Sequence, residues 1–408
     1  STSSASNVAG SNGGGIAILE FATISMNNNA KVLGNGASTG GGIYIATSQD
    51  QSASTLSFTL QGNISYNYAS TKAGGIYLST GKQESFSSGT VNYNYTSGNG
   101  GGLYFADGGT IKNGGTLEYN YGSNGGAAYF EKYSELNNVT IRNNSGADGG
   151  ALYFADVATL NSVTMKNNTA SNRGGAVYFG GTNAEIIGGS YTYNTAKEGG
   201  AIFASPNTLF KMNITSSSST TVSNNSATAS GGAIYIQGDT ELKNVTASYN
   251  TASGSGGAIC GSTSSIPYVK FISCTFNNNT AGDRGGAICA WYNMHFDACS
   301  INYNTANDRH GGGIYSGPNN ELNLYNGTSV SNNQTSGDGA GIYTEGSTII
   351  SGGKLDSKVE TSDLSGWSTA SPSTITITGN AGICSTCGGD GKISCSKCGG
   401  DGYTNGPF

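Results

Sequence analysis

Charged side chains, proline and long apolar runs are all scarce in this chain of 408 residues. Asp, Glu, Lys and Arg together make up 10% of it, and the net charge of −6 includes no basic run that could meet a phosphate backbone. We therefore expect no nucleic-acid partner. No apolar stretch reaches the roughly 18 residues that a membrane-spanning helix needs, so we expect no membrane span.

Glycine and aromatic residues are abundant instead. The chain has 67 Gly against 5 Pro, and such a glycine content is by itself typical of disorder. The same chain has 24 Tyr and 13 Phe among regularly spaced Ile, Leu and Val, which is far more apolar surface than a disordered linker carries. The composition therefore favours a folded, repetitive protein.

A repeat of 24 to 33 residues runs along most of the chain. Each copy has an aliphatic residue after two or more glycines, which usually form a pair. An aromatic residue or Cys usually follows it, and an Asn usually stands eight to ten residues earlier. The aliphatic positions are Ile16, Ile43, Ile76, Leu103, Ala128, Leu152, Val177, Ile202, Ile234, Ile259, Ile288, Ile314 and Ile342. The Asn positions are Asn67, Asn94, Asn120, Asn144, Asn168, Asn194, Asn225, Asn250, Asn279, Asn304 and Asn333.

Apolar and polar residues alternate within each copy. Ile234 and Ile236, for example, flank Tyr235, and a period of two indicates strands. Three short strands per repeat, joined by turns rich in Asn and Gly, predict an all-β fold. We expect a parallel β-helix, a solenoid of the pectin-lyase type with about 13 or 14 coils, in which equivalent positions stack about 4.8 Å apart.

The repeated Asn and Gly have physical roles in such a solenoid. Asn tolerates the left-handed turn conformation, and its amide can hydrogen-bond to the Asn one coil away. A Gly pair allows a sharp bend where a side chain would collide with the neighbouring coil. We therefore expect an Asn ladder and a glycine corner along the solenoid.

The repeat resembles the GGAI/FxxN repeat of the chlamydial polymorphic outer-membrane proteins and related surface proteins. The resemblance rests on segments such as "GGAIY", "NNTA" and "SNNSA" and covers roughly residues 13–345, where Tyr or Asn often replaces the Phe of the family pattern. It implies a right-handed parallel β-helix that is displayed outside the cell as an adhesin or surface coat.

Four cysteines are in register within the repeat. Cys260 and Cys289 take the aromatic position on consecutive coils, and Cys274 and Cys299 each precede the repeated Asn by five residues. Stacking one coil apart brings two Cα atoms into the disulfide range of roughly 4.4 to 6.8 Å. Cys260 with Cys289, and Cys274 with Cys299, are therefore disulfide candidates. The alternative is that they are small apolar side chains filling a core.

The stretch "CSTCGGDGKISCSKCGGDG", residues 384–402, holds two CxxC pairs eleven residues apart. It resembles the CxxCxGxG zinc modules of DnaJ-type chaperones. The resemblance implies a Cys₄ zinc site with Cys384, Cys387, Cys395 and Cys398 as ligands, and it implies no chaperone activity because it covers only these residues. Four thiolates from two tight turns suit tetrahedral zinc, and two disulfides in a secreted tail are the alternative. We expect no other cofactor.

Charged residues recur four positions before the aliphatic site. They are Lys72, Asp148, Arg173, Glu198, Arg284, His310 and Asp338. Opposite charges on successive coils predict a solvated salt-bridge stack.

A cluster of charged residues in two consecutive repeats allows a different interpretation, a β-helical polysaccharide lyase or glycoside hydrolase. The cluster consists of Asp283, Arg284, Asp308, Arg309 and His310. Such enzymes need several carboxylates on one face, and acids are rare and scattered here. We therefore predict that the protein is not an enzyme and keep the lyase or hydrolase as the alternative.

The aromatic column would form a stripe along one face if the aliphatic residues point inward. Its candidate binding residues, for sugars or a neighbouring molecule, are Tyr44, Tyr77, Tyr104, Tyr129, Tyr153, Tyr178 and Tyr235. Ring stacking that only stabilises the solenoid is the alternative.

These patterns divide the chain into an N-terminal segment (1–12), the β-helix (13–383) and a Cys-rich tail (384–408) that forms a zinc module or cap. We predict an extracellular or cell-surface protein with a structural or adhesive role. Because the two ends differ chemically, copies are expected to associate head-to-tail, or laterally through the Tyr stripe, into a fibre or coat. Surface glycans and host proteins are the other expected partners.

Overall fold

The chain folds into short β-strands joined by turns. A computed structural model describes residues 7–19, 24–46, 57–79, 85–214, 217–261, 268–318, 320–351, 354–355, 359–361 and 375–378. Every regular element in these ranges is a strand. Over the same ranges, no helix is long and apolar enough to cross a membrane.

Two compact units, Ser1–Thr208 and Leu209–Phe408, divide the chain. In each unit one repeat makes one coil of a parallel β-solenoid, and the coil contributes strands to three faces. We call them the glycine face, whose strand follows the Gly pair, the middle face, and the asparagine face, whose strand follows the repeated Asn. The predicted all-β parallel solenoid is thereby confirmed.

In the first unit the glycine-face strands are Ile16–Ile18, Ile43–Ala46, Ile76–Ser79, Leu103–Phe105, Ala128–Phe130, Leu152–Phe154, Val177–Phe179 and Ile202–Ala204. The middle-face strands are Ile24–Met26, Lys31–Leu33, Ser57–Leu60, Asn63–Ser65, Ser85–Asn92, Gly109–Glu118, Ser134–Asn137, Thr140–Arg142, Ala158–Asn161, Thr164–Lys166, Asn183–Ile187 and Gly189–Thr192. The asparagine-face strands are Gly36–Thr39, Tyr68–Lys72, Tyr95–Thr96, Ser145–Asp148, Thr169–Arg173 and Thr195–Ala196.

In the second unit the glycine-face strands are Ile234–Ile236, Ile259–Gly261, Ile288–Ala290, Ile314–Ser316, Ile342–Thr344 and Val359–Thr361. The middle-face strands are Leu209–Met212, Thr220–Ser223, Thr240–Lys243, Val245–Thr246, Val269–Ile272, Thr275–Asn277, Met294–Asp297, Ser300–Asn302, Glu321–Tyr325, Ser329–Ser331, Ser347–Ser351, Lys354–Leu355 and Ile375–Thr378. The asparagine-face strands are Ser226–Ala227, Thr251–Ala252, Thr280–Ala281, Thr305–Ala306 and Gln334–Thr335.

Neighbouring coils pair in the register that the repeat predicts. On the glycine face Ile43 pairs with Ile76, and in the second unit Ile288 pairs with Ile314. The aliphatic side chains at these positions point inward and are buried. In the first unit a row of inward phenylalanines stacks at 4.7 to 5.6 Å between ring centroids. The core therefore consists of columns of like side chains, one from each coil.

The repeated asparagines form a buried ladder of hydrogen bonds. Asn144 Oδ1 accepts from both the backbone N–H (2.9 Å) and the side-chain amide (3.1 Å) of Asn120. The Asn144 amide donates in turn to Asn168 Oδ1 (3.0 Å) and to the Leu117 carbonyl (2.9 Å). The same pattern recurs in the second unit, as between Asn250 and Asn279. The predicted ladder is thus confirmed, and it fixes the register of the coils.

The left-handed turn lies one residue earlier than the sequence predicts. It belongs to the residue before each ladder Asn, where φ lies between 52° and 59° and the side chain is Tyr or Asn. The assignment of this conformation to the ladder Asn itself was wrong, because that residue must turn its amide inward to reach the next coil. The left-handed positions are Tyr66, Tyr93, Tyr119, Asn143, Asn167, Tyr193, Asn224, Tyr249, Asn278, Tyr303 and Asn332.

The glycine corner has the two constraints that the repeat implies. The first Gly of the pair, such as Gly149, is left-handed with φ +60°. A Cβ on the second, Gly150, would overlap the Gly175 carbonyl oxygen on the next coil. The corner therefore requires glycine for backbone conformation at one position and for close approach at the other.

Residues 7–12, which the sequence analysis set apart, continue the coil. Asn7 donates its amide to Asn35 Oδ1 at 3.2 Å, as a further rung of the Asn ladder. Val8 and Asn12 form parallel bridges to Gly36 and Thr39. The first unit therefore extends its ladder pattern to this part of the chain.

The four cysteines of the repeat are buried free thiols in the structure. Cys260 and Cys289 are register partners on adjacent strands, and the Cys274 backbone N–H donates to Cys299 Sγ at 3.4 Å. Burial raises the pKa of the Cys274 and Cys289 thiols. The predicted stacking is confirmed, whereas the predicted disulfides are not formed. The four tail cysteines lie outside the described residues, so their zinc site stays a prediction.

The Asn ladder predicts a large loss of stability for Asn144→Ala. The substitution leaves two buried donors on Asn120 without a partner, which should cost about 3 kcal/mol. Asn161→Ala, at a half-buried Asn of the same coil, should change the free energy of unfolding by less than about 0.5 kcal/mol. Urea unfolding followed by circular dichroism measures both, and equal losses would contradict the ladder's role.

The stacked thiols predict that refolding under oxidising conditions joins Cys260 to Cys289, since both thiols are buried and unreactive once the chain has folded. Paired residues on adjacent strands lie about 4.8 Å apart, which is within the bridging range. We expect a peptide digest without reductant, analysed by mass spectrometry, to contain the linked pair. Recovery of both positions as alkylated thiols after oxidation would show that the side chains cannot reach the required geometry.

Candidate aromatic binding surface

The predicted Tyr stripe of the glycine face is a continuous ring stack in the first unit. Successive rings lie 4.6 to 5.4 Å apart between centroids and within 18° of parallel. Its members are Tyr44, Tyr77, Tyr104, Tyr129, Tyr153, Tyr178 and Phe203. The period of the strand turns them away from the aliphatic core, as predicted.

Charged residues from the neighbouring turns cover parts of this stack. Lys72 Nζ lies 4.4 Å from the Tyr104 ring centroid and 3.2 Å from Glu131 Oε1, and the Tyr104 hydroxyl donates to the same carboxylate. Only 1% of the Tyr104 surface is exposed. Lys72, a member of the charged column, therefore covers a ring of the stack and pairs with a carboxylate outside the column.

A second such cover lies farther along the stack. Arg173 donates to Asp148 through Nε (3.0 Å) and Nη2 (2.8 Å), and its guanidinium carbon lies 4.9 Å from the Tyr178 centroid. Hydrogen bonding to Asp148 raises the pKa of Arg173, and only 8% of Tyr178 is exposed. The stripe thus offers a partner little ring surface at these coils.

In the second unit two cysteines interrupt the aromatic column. Tyr235, Cys260, Cys289 and Tyr315 follow one another in register, and the last three are buried together. Tyr235 is packed against this cluster and half-buried. The column has a core-like role here, which matches the stabilising interpretation of the stripe.

Members of the charged cluster of the second unit, Asp283, Arg284, Arg309 and His310 among them, contact neighbouring side chains. Asp283 Oδ1 lies 3.2 Å from Arg309 Nε and 4.0 Å from Arg284 Nε. The His310 ring stacks on Tyr343 at 4.1 Å. Among the described residues, no group of three or more His, Cys, Asp and Glu is placed to hold a metal ion. The arrangement of Asp283, Arg284 and Arg309 is that of surface ion pairs.

A more exposed aromatic surface lies elsewhere among the described residues, at three Tyr-Asn-Tyr turns. On consecutive coils of the first unit the ladder residues Asn67, Asn94 and Asn120 each have a Tyr on both sides. Because the Asn side chain points inward, both flanking rings point outward. They form two parallel stacks, Tyr66–Tyr93–Tyr119 and Tyr68–Tyr95–Tyr121, with centroids 4.8 to 5.6 Å apart. We call these six residues the tyrosine ladder.

The rings of the tyrosine ladder are 42% to 64% exposed, in contrast to the glycine-face stack. Tyrosine at the left-handed position is also unusual, since bulky residues rarely adopt positive φ. Other coils have Asn at that position, as at Asn143 and Asn167, or Tyr, as at Tyr249 and Tyr303. What distinguishes the tyrosine ladder is that its exposed rings are stacked on three consecutive coils, which makes it a candidate binding surface.

Sequence reasoning missed the tyrosine ladder although a signal was present. The triplets at 66–68, 93–95 and 119–121 all read Tyr-Asn-Tyr. The repeat identifies the Asn as a ladder residue, and the residues directly before and after it form two further columns. Aligning these two columns across the coils predicts the exposed tyrosine surface.

Three segments match the family model of the Chlamydia polymorphic membrane protein repeat: residues 162–180, 219–237 and 273–290. Each segment contains a ladder Asn and a Gly pair, the two features that fix a coil. The resemblance of the repeat is thereby supported in both units. Neither the curated proteins nor the solved structures give a significant match to the chain.

The glycine-face stack predicts a loss of stability at high pH. Burial raises the pKa of Tyr153 to about 12 and raises those of Tyr77 and Tyr129, whereas a phenol in the unfolded chain ionises near pH 10. The unfolded state therefore loses protons first, and stability falls as the pH rises from about 10 to 12. Thermal unfolding across this range should show the decline.

Tyr153→Phe is the matched control for this prediction, since Phe203 already occupies the same column. It keeps a ring and removes one ionisable group with a raised pKa, so its alkaline decline should be shallower than that of the wild type. Identical pH profiles for the two proteins would contradict the assigned cause.

Proposed function

We propose that the protein is a non-enzymatic extracellular surface element that associates laterally with copies of itself through the tyrosine ladder. The observation that carries the proposal is the pair of outward ring stacks on three consecutive coils. Exposed aromatic patches of this kind are typical of protein interfaces, where Tyr is enriched. The match to repeats of a chlamydial membrane protein family supports a location at the cell surface.

The ring geometry suits contact between like surfaces. Neighbouring rings of the ladder lie about 5 Å apart along each stack, which is the coil spacing itself. A second copy presents the same spacing, so rings from two molecules can pack in a regular row. Such a contact uses the same surface on both molecules and joins two copies side by side.

The test is a ladder variant that the chain itself shows to be compatible with the fold. Two of its substitutions, Tyr93→Asn and Tyr119→Asn, introduce the residue that other coils have at the left-handed position. The other two, Tyr95→Thr and Tyr121→Thr, introduce the residue that Thr169 provides in the same column two coils beyond Tyr121. We expect the variant to associate at least about tenfold more weakly than the wild type, because buried rings dominate interface energies. Sedimentation over a concentration series measures the difference.

The control substitutes exposed left-handed tyrosines outside the ladder. Tyr249→Asn and Tyr303→Asn make the same chemical change at rings that are 60% and 58% exposed, and association should be unchanged. The proposal is wrong if the wild type and the ladder variant are both monomers at every concentration. Cleavage of a uronate polymer by the purified chain would also count against it.

A further inference from the structure

The tyrosine ladder lacks a rung at one edge. The coil that precedes Tyr66 and Tyr68 has Gly34 and Gly36 at the two ring positions, and Gly36 pairs in register with Tyr68. The coil before that places Val8 in the same column, bridged to Gly36. The order along this column is therefore Val, Gly and then stacked Tyr.

The missing rung leaves a recess of about 500 Å³. Val8 and Tyr68 are two coils apart, about 9.6 Å at the usual strand spacing, so one flat ring fits between them. Tyr66 is 64% exposed, compared with 42% for Tyr93 in the middle of its stack, and Tyr68 is 46% exposed, compared with 43% for Tyr95. The end of the ladder therefore presents ring surface to the recess.

Nothing in the fold requires glycine at position 36. A Cβ there would meet only the two Val8 methyl groups, at 3.8 and 4.0 Å, which is ordinary contact. Gly36 is also absent from the left-handed residues of the described chain. The glycine keeps the recess open rather than relieving a backbone constraint.

The lining combines ring faces with neutral polar groups. Tyr66, Tyr68, Ser38 and Ser70 each carry a hydroxyl group, and none of the described residues that line the recess is charged. A charged ligand would find no counter-charge, and an apolar aromatic side chain would leave the hydroxyl groups unsatisfied. A pyranose ring has an apolar C–H face for the tyrosines and hydroxyl groups around its edge.

We propose that this recess binds one neutral pyranose ring of a glycan, stacked on Tyr68 in place of the missing rung. The site shares Tyr66 and Tyr68 with the proposed lateral contact, but it uses the open edge of the ladder beside Gly36 and not the central rings of Tyr93 and Tyr95. It would give the protein a second type of contact, with a glycan at the cell surface.

The experiment fills the recess with a tyrosine ring introduced at position 36. Saturation-transfer NMR with neutral methyl pyranosides should show transfer to the C–H face of at least one sugar with the wild-type chain. Gly36→Tyr extends the ladder into the recess and should abolish the signal. Tyr68→Thr removes one stacking partner and should weaken binding roughly two- to tenfold. Thermal unfolding checks that both variants fold.

Thr169→Tyr is the matched control, because it adds an exposed ring in the same column on a different coil and should leave binding unchanged. Binding that survives Gly36→Tyr would place the sugar elsewhere and overturn the proposal. So would a lack of transfer to every pyranoside, or a preference for N-acetylphenylalanine amide over the sugars. Sedimentation of Gly36→Tyr should match that of the wild type, so that failure here is distinguishable from failure of lateral association.

Discussion

The buried Asn ladder is the interaction on which the rest of the structure depends. Each ladder Asn accepts two hydrogen bonds from the coil before it and donates its amide onward to the next coil, as Asn144 does between Asn120 and Asn168. A one-residue slip would leave buried amides unpaired, at a cost of about 1 to 3 kcal/mol for each. The ladder therefore holds equivalent residues of successive coils in line.

That alignment turns single residues into surfaces. The backbone must turn left-handed before each ladder Asn, and this leaves one outward side chain on either side of it. Neither position contributes to the core, so the chain can vary them from coil to coil. Tyr93 and Tyr95 are such a pair, whereas Asn167 and Thr169 are the polar equivalent. Binding chemistry can thus change along the solenoid while the fold stays constant.

The glycine-face stack and the tyrosine ladder show how neighbouring residues decide the role of a ring. On the glycine face Lys72 and Arg173 lie over the tyrosines, and their carboxylate partners hold them there. These rings lose most of their contact with solvent and stabilise the stack. At the Tyr-Asn-Tyr turns the rings of Tyr66 and Tyr93 keep their outer edges open. The glycine-face stack stabilises the fold, and the tyrosine ladder is available to a partner.

The sequence by itself determined the strands, their parallel register and the Asn ladder, because a repeat with fixed columns can only stack in one alignment without burying unpaired amides. Even the stacking of Cys260 on Cys289 followed from that alignment. The tertiary structure alone decided which residue turns left-handed, because the ladder Asn has to face inward, and which tyrosines are covered, because Glu131 reaches Lys72 from another coil. It also decided that Gly36 opens a recess, since the missing ring matters only where Tyr68 stacks beside it.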